Sequence, residues 1–252
     1  MHSLGMGFTV HEGVTAQVER AAATQVSFNG ETVDFPTVAA VVQDVAGVPL
    51  RIELESPLPL SCGFGLSGAS ALATALAADA LLEGGRGRRE LALAAHVAEV
   101  QNLTGLGDVC AQFHGGCLVK LRPGDPLGAE RLDVAEQPVF YRYFGPISTA
   151  GVLRDETARS RINAAADSAL EGLGRLSGQK GVEFDTCIGL ARRFSEDSGL
   201  LQDERVRTLI EAIEATGGTA SMIMLGNAVF STRPFEGATE TRLAGRGAEV
   251  LA

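Results

Sequence analysis

Residues 57–82 read PLPLSCGFGLSGASALATALAADALL, with three glycines and two serines set directly ahead of a helix of small apolar residues. From Ala69 onward, Leu72, Ala73, Leu76, Ala80 and Leu81 fall at helical spacing and predict a narrow, alanine-rich buried face. The first turn of a helix leaves backbone N–H groups unpaired and carries partial positive charge, which suits a phosphate. Gly63 and Gly65 let the backbone approach an anion with no Cβ in the way, and Gly68 keeps the first turn bare. Ser67 offers a hydroxyl to a phosphate oxygen or a metal ion. The bland alternative is a glycine corner that binds nothing. Two standard phosphate loops do not describe the segment. GxGxxG fits residues 63–68 by letter, but no strand runs straight into it and no ribose-binding acid stands where one is expected. A P-loop fails for want of GKS or GKT.

A third pattern fits. Pro59 followed by Gly63-Phe64-Gly65-Leu66-Ser67-Gly68-Ala69 resembles the PxxxGLGSSAA signature of the GHMP small-molecule kinases, with Leu66 and Gly68 as departures. In that superfamily the loop is followed by a helix bearing a magnesium-binding glutamate, then a glycine turn and a catalytic aspartate. Residues 94–116, AAHVAEVQNLTGLGDVCAQFHGG, supply Glu99, the TGLG turn, Asp108 and Gly115-Gly116 in that order. The resemblance implies Ser67 and Glu99 as Mg2+ ligands and Gly63, Phe64, Gly65, Leu66, Ser67, Gly68 and Ala69 as the cradle for the ATP phosphates. It implies Asp108 as the catalytic residue that orients or deprotonates the acceptor hydroxyl. Phosphoryl transfer rests on positioning and charge neutralisation, and Mg2+ takes hard oxygen donors, often one carboxylate with a hydroxyl and phosphates. Taken singly, Asp108 reads as an N-cap and Glu99 as a solvated helix residue. Their order after the glycine loop is what favours a site.

Within the superfamily, GFGLSGA, AHVAEV, TGLGDVCAQ, PGDPLG and ASMIMLGNAVF resemble the archaeal pantoate kinases of coenzyme A synthesis, from about Ser3 to Phe230. That resemblance implies phosphorylation of the 4-hydroxyl of (R)-pantoate with ATP and Mg2+. It implies an α+β fold of two domains. Residues 1–133 would form a mixed α/β, ribosomal S5 domain 2-like N-terminal domain, and residues 134–252 a ferredoxin-like C-terminal domain. Substrate contacts are implied for His96, Lys120 and Thr149. The family more often has arginine at the position of Lys120, and a lysine offers a point charge where arginine offers a fork. His96 lies three residues before Glu99, so both project from one helix face. A hydrogen-bonded core histidine and a solvated strand lysine are the competing readings. Kinases for mevalonate, homoserine or shikimate, and a non-catalytic nucleotide-binding relative, stay as alternatives. Family members carry a preceding strand and loop, whereas this chain opens at HSLGMGFTVHEGVTAQV. The expectation is a start upstream of Met1, or a truncated relative with an open strand edge and weak turnover.

Charge narrows the partners. The 252 residues carry 31 acidic against 21 basic side chains, a formal charge of −10, which repels nucleic acid and anionic membranes. A small-molecule substrate is expected, no nucleic acid or membrane partner, and a homodimer is left open. Cys62, Cys110, Cys117 and Cys187 form no CxxC pair and read as reduced thiols of a cytoplasmic protein. Strands are expected over 8–18, 23–28, 31–35, 50–54, 117–121 and 139–144, and helices over 36–46, 88–102, 108–113, 154–176, 186–196 and 203–216. Residues 221–232, SMIMLGNAVFST, are expected to form a hairpin turning at Gly226-Asn227.

Overall fold

The computed structural model describes residues 3–251. The expected upstream start bears on Met1 and His2, which lie outside these residues. β1 (Gly5–Phe8) pairs antiparallel with β6 (Cys117–Lys120), and β6 with β7 (Glu130–Arg131). A second sheet holds β2 (Thr15–Arg20), β3 (Gln25–Phe28), β4 (Glu31–Thr32) and β5 (Leu50–Glu55), in the order β2-β5-β3-β4. In β5 the LRIEL alternation holds, with Leu50, Ile52 and Leu54 buried and the residues between them exposed. Among the described residues β2 is paired on one side only, to β5.

The single strand expected over 8–18 is two. β1 stops at Phe8, where the Thr9 hydroxyl donates to the Ala244 carbonyl and accepts from the Gly116 N–H. Val10 bridges to Leu243, so residues 9–14 are tied to the end of the chain rather than to β5. α1 (Pro36–Val41) begins on a proline whose fixed φ suits a first turn, and continues as a π-helical turn through Ala46. It carries the chain from β3 to β5, which pair in parallel, as a crossover requires.

α2 (Leu66–Leu82), α3 (Arg88–Asn102) and α4 (Asp108–His114) follow. Ala71 and Ala75 of α2 are buried with Ala92, Ala95 and Ala98 of α3, and these small side chains let the two helices approach closely. α2 starts at Leu66, three residues before the expected Ala69.

The last sheet contains β8 (Pro138–Pro146), β9 (Ala220–Met222), β10 (Gly226–Ser231) and β11 (Thr239–Arg242). Its order is β11-β8-β10-β9, every pair antiparallel, which is the split β-α-β arrangement of a ferredoxin-like unit. Between β8 and β9 run α5 (Thr149–Arg154), α6 (Glu156–Leu176), α7 (Phe184–Asp197) and α8 (Glu204–Ala215). An irregular stretch, 232–238, joins β10 to β11. The helix expected from Arg154 is interrupted, because the Asp155 carboxylate caps α6 by accepting from the Thr157 and Ala158 N–H groups. The expected hairpin turn is also displaced. It lies at Ile223–Leu225, with Leu225 at φ 60 and the Gly226 N–H on the Ile223 carbonyl, and Gly226 and Asn227 already belong to β10.

Phe8, Phe184 and Phe230 join the sheets, with ring centroids 5.1 Å apart for Phe8–Phe184 and 5.2 Å for Phe8–Phe230. All four cysteines are unbridged and buried. Among the described residues no helix is long and apolar enough to cross a membrane. A domain boundary near residue 134 stays a proposal: β8 opens the last sheet at Pro138, yet residues 243–248 return to Thr9, Gly116 and Gln112.

Candidate active site

The mouth of α2 is a cleft of glycines. Gly65 stands before the helix in the left-handed region (φ 64, ψ 30), and no side chain caps the first turn. Four of the seven loop residues, Leu66 to Ala69, are already helical. Leu66 is buried in the core, so it can offer a ligand only its backbone. The Phe64 ring packs edge-on against Tyr141, centroids 4.9 Å apart, and acts as a prop for the loop. Gly63 (φ 86) lies against the turn between β9 and β10. A Cβ there would stand 2.7 Å from Ile223 Cγ2 and 2.9 Å from the Met224 carbonyl.

Two carboxylates meet below this loop. Glu99 reaches in from α3 and Asp108 from the first turn of α4. A Cβ on Gly105 would collide with Glu99 Oε2 and Asp108 Oδ2 together, and one on Gly68 would lie 2.8 Å from Glu99 Oε2 and 3.1 Å from Asp108 Cβ. A side chain at either place would push the two carboxylates aside. Glu99 is 1% exposed. Burial first, then the Asp108 charge, push its carboxyl up to about 7. Asp108 retains some exposure as a residue, but its carboxyl is hemmed in by the backbone at Gly65, Gly68 and Gly105, and burial pushes it up to about 6. Carboxyls held near neutrality can accept a proton from an alcohol, and a buried like-charged pair attracts a cation.

Neighbouring oxygens point the same way. The Ser67 hydroxyl comes close enough to Glu99 to favour its ionised form, yet no hydrogen bond of normal geometry joins them. Ser67 Oγ, Glu99 Oε2 and Gln112 Oε1 are all buried without partners. Buried polar atoms are almost always satisfied, so a cluster of oxygens left over beside two carboxylates suits a hard cation. Among the described residues, no group of three or more His, Cys, Asp and Glu gathers there. Mg2+ does not need one, since water and phosphate oxygens complete its shell.

The sequence reading missed three members of this site. Gln112 Nε2 donates to the Gly65 carbonyl at 2.8 Å and ties α4 to the glycine loop. Thr104 Oγ1 donates to Glu99 Oε1 at 2.9 Å, and Thr37 Oγ1 lies 3.0 Å from Thr104 Oγ1. Gln112, four residues after Asp108, shares its helix face and was open to discovery by spacing. Thr37 carried no signal, since it comes from α1, 67 residues before Thr104.

The substrate-side candidates are less tightly gathered. His96 is buried one turn before Glu99, and burial first, then the Lys120 charge, push its pKa down. Lys120 ends β6 with its ammonium donating to the Asp125 carbonyl at 2.6 Å, in a turn whose Asp125 carboxylate holds Arg89. Its charge reaches His96 although its hydrogen bond points elsewhere. Thr149 opens α5 half-buried, and among the described residues its side chain makes no hydrogen bond to the cluster.

The family described as GHMP kinases N terminal domain matches residues 35–116, which hold the glycine loop and both carboxylates. A pantoate kinase of Methanospirillum hungatei JF-1 is 32% identical over 91% of this chain and 78% of its own length. Another, from Thermococcus kodakarensis, is 33% identical over 91% and 78%. This chain belongs to the pantoate kinase family of the GHMP kinases. A solved "Phosphotransferase related to CoA biosynthesis pathway" is similar in fold, with TM-score 0.78, 27% identity and cover of 98% of this chain and 88% of that one. The Methanococcus jannaschii mevalonate kinase covers 96% and 91% at TM-score 0.66, but at 12% identity it shows the shared fold alone. The stretch matched by the GHMP family ends at Gly116, just before β6.

Proposed function

We propose that this chain transfers the terminal phosphoryl group of ATP to the 4-hydroxyl of pantoate. The convergence of Glu99 and Asp108 beneath the uncapped mouth of α2 carries this reading. It brings an anion-binding helix end, a place for a cation and a proton-accepting carboxyl into one cleft. The first-turn N–H groups of α2 would hold the phosphates, and Ser67 and Glu99 would hold Mg2+. When bound, Mg2+ neutralises charge on the phosphates and withdraws it from the breaking bond. Asp108 orients the acceptor hydroxyl and takes its proton late, because a loose transition state asks more for positioning than for deprotonation. His96 faces the substrate carboxylate, Lys120 adds positive charge from its place on the Asp125 turn, and Thr149 adds a hydroxyl. With its pKa lowered, His96 stays neutral at pH 7 and serves as a hydrogen-bonding group, leaving the positive charge to Lys120.

Mevalonate, homoserine and shikimate share the chemistry of a small alcohol, and the shared fold does not separate their kinases. Incubation of the protein with Mg·ATP and each of the four alcohols, with ADP release followed, tests the assignment. Turnover is expected with pantoate. Turnover confined to any of the other three would overturn it.

A further inference from the structure

Thr37 sits in the first turn of α1, 0% exposed, and its hydroxyl meets that of Thr104 at 3.0 Å. Thr104 in turn is 2.9 Å from Glu99 Oε1. The end of α3 places it there. Leu103 adopts a left-handed conformation (φ 55), and the Thr104 N–H bonds to the Glu99 carbonyl at 3.1 Å, folding Thr104 back over the Glu99 side chain.

Counting protons fixes the direction of this chain once a bound cation keeps Glu99 ionised. A hydroxyl carries one proton, and an ionised carboxylate only accepts. Thr104 therefore spends its proton on Glu99 Oε1, and the contact with Thr37 is made by the Thr37 proton. Each donation polarises the next hydroxyl, so the bond arriving at Oε1 is stronger than that of a lone threonine. The consequence falls on the other oxygen. With Oε1 held from behind, Glu99 Oε2 is left buried, without a partner, and turned toward Gly68 at the mouth of α2.

We propose that Thr37 and Thr104 are positioning residues that hold Glu99 Oε1 and so present Oε2 alone to the divalent cation. The inference rests on the reading of Glu99 as a cation ligand given above. Both threonines lie on the Oε1 side of Glu99, and Thr37 reaches it only through Thr104. A carboxylate fixed this way offers one oxygen in a set direction, and a cation that also needs the Ser67 hydroxyl and phosphate oxygens gains from that constraint.

The test measures ADP binding calorimetrically, with and without Mg2+, in the full chain. The readout is the factor by which Mg2+ tightens ADP. Thr104→Val should reduce that factor by roughly tenfold or more, the range for a lost hydrogen bond to a charged group. Thr37→Val should reduce it by about threefold, and Thr37→Ser should restore it. Binding of ADP without Mg2+ should not change in any of the three. The double variant should match Thr104→Val alone, because Thr37 works through Thr104 and through nothing else. Additive effects would overturn the relay, as would an undiminished Mg2+ factor in Thr37→Val. Thr37→Val keeps the volume of the side chain, so it carries the test even if Thr104→Val does not fold. Glu99→Gln separates the two layers. If it abolishes the Mg2+ factor while both valine variants keep it, the relay fails and the role of Glu99 stands. If Glu99→Gln itself keeps the factor, the role of Glu99 fails and the relay with it.

Discussion

Asp108 and Glu99 are both carboxylates, yet their surroundings ask different work of them. Asp108 is the first residue of α4, and among the described residues no hydrogen bond holds its carboxylate in place. Glu99 is buried and gripped by Thr104. Asp108→Asn should therefore lower kcat by about 10² or more with Mg·ATP affinity nearly unchanged, as expected for a group serving the acceptor hydroxyl. Steady-state kinetics beside nucleotide titration checks this; near-full activity would leave Asp108 as a first-turn acid of α4 with no part in the chemistry. The same residues predict a pH dependence of folding. Burial raises both carboxyls, from 4.5 to about 7 for Glu99 and from 3.8 to about 6 for Asp108, so the folded chain binds protons more tightly than the unfolded one. The stability contributed by the protonated pair is present at low pH and is lost as pH rises from about 4 to 7, Glu99 accounting for a fall on the order of 3 kcal/mol. Urea unfolding of the ligand-free protein from pH 4 to 8 should show this fall, and Glu99→Gln should remove the Glu99 share of it while leaving the part due to Asp108. A wild type and variant with parallel pH profiles would refute the burial argument.

Helices carry the glycine requirement. Gly65 combines a left-handed φ of 64 with a Cβ position only 3.0 Å from Asp108 Cγ and Gln112 Nε2, so alanine there is strained twice. Gly87 precedes α3 with φ −65 and open space around it. Gly65→Ala should cut kcat/KM by about 10² through displacement of Asp108, whereas Gly87→Ala should change stability by less than about 1 kcal/mol and leave turnover alone. Equal effects at the two positions would show that the loop merely turns a corner. Gln112 gives the complementary prediction, since its side chain is what ties α4 to that loop. Gln112→Leu should raise the KM for ATP by roughly tenfold, as expected for a lost hydrogen bond that leaves the Gly65 carbonyl free, while kcat holds within a few-fold. A kcat loss equal to that of Asp108→Asn would instead place Gln112 at the chemistry. α2 and α3 were legible in the sequence because their periodicity is long and their alanine seam consistent. The 8–18 strand was overestimated, because the break at Thr9 is made by a side-chain hydrogen bond to a residue 235 positions away, whereas the 154–176 helix differs only in its start, which the Asp155 cap sets at Glu156.

At the scale of the whole molecule, the glycine loop depends on a turn from the opposite end of the chain. A Cβ on Gly226 would collide with the Cys62 carbonyl, and one on Gly63 with Ile223 and the Met224 carbonyl. These two backbones are pressed together with no side chain between them. Gly226→Ala should drive them apart, lowering the melting temperature and weakening ADP binding together, although residue 226 bears no functional group. A melt and a nucleotide titration that both match wild type would show the loop to be self-supporting. The sequence by itself determined the glycine loop, the order of Glu99 and Asp108 after it, and the family these belong to, because such features are local strings whose spacing survives translation into any register. Tertiary structure alone decided that Thr37 backs Glu99, that Gln112 holds Gly65, that Lys120 bonds to the Asp125 turn, and that Gly226 buttresses Gly63. Apart from the local Lys120–Asp125 turn, each of these depends on where one element lies against another, and packing fixes that through contacts between residues whose distance along the chain carries no periodic signal.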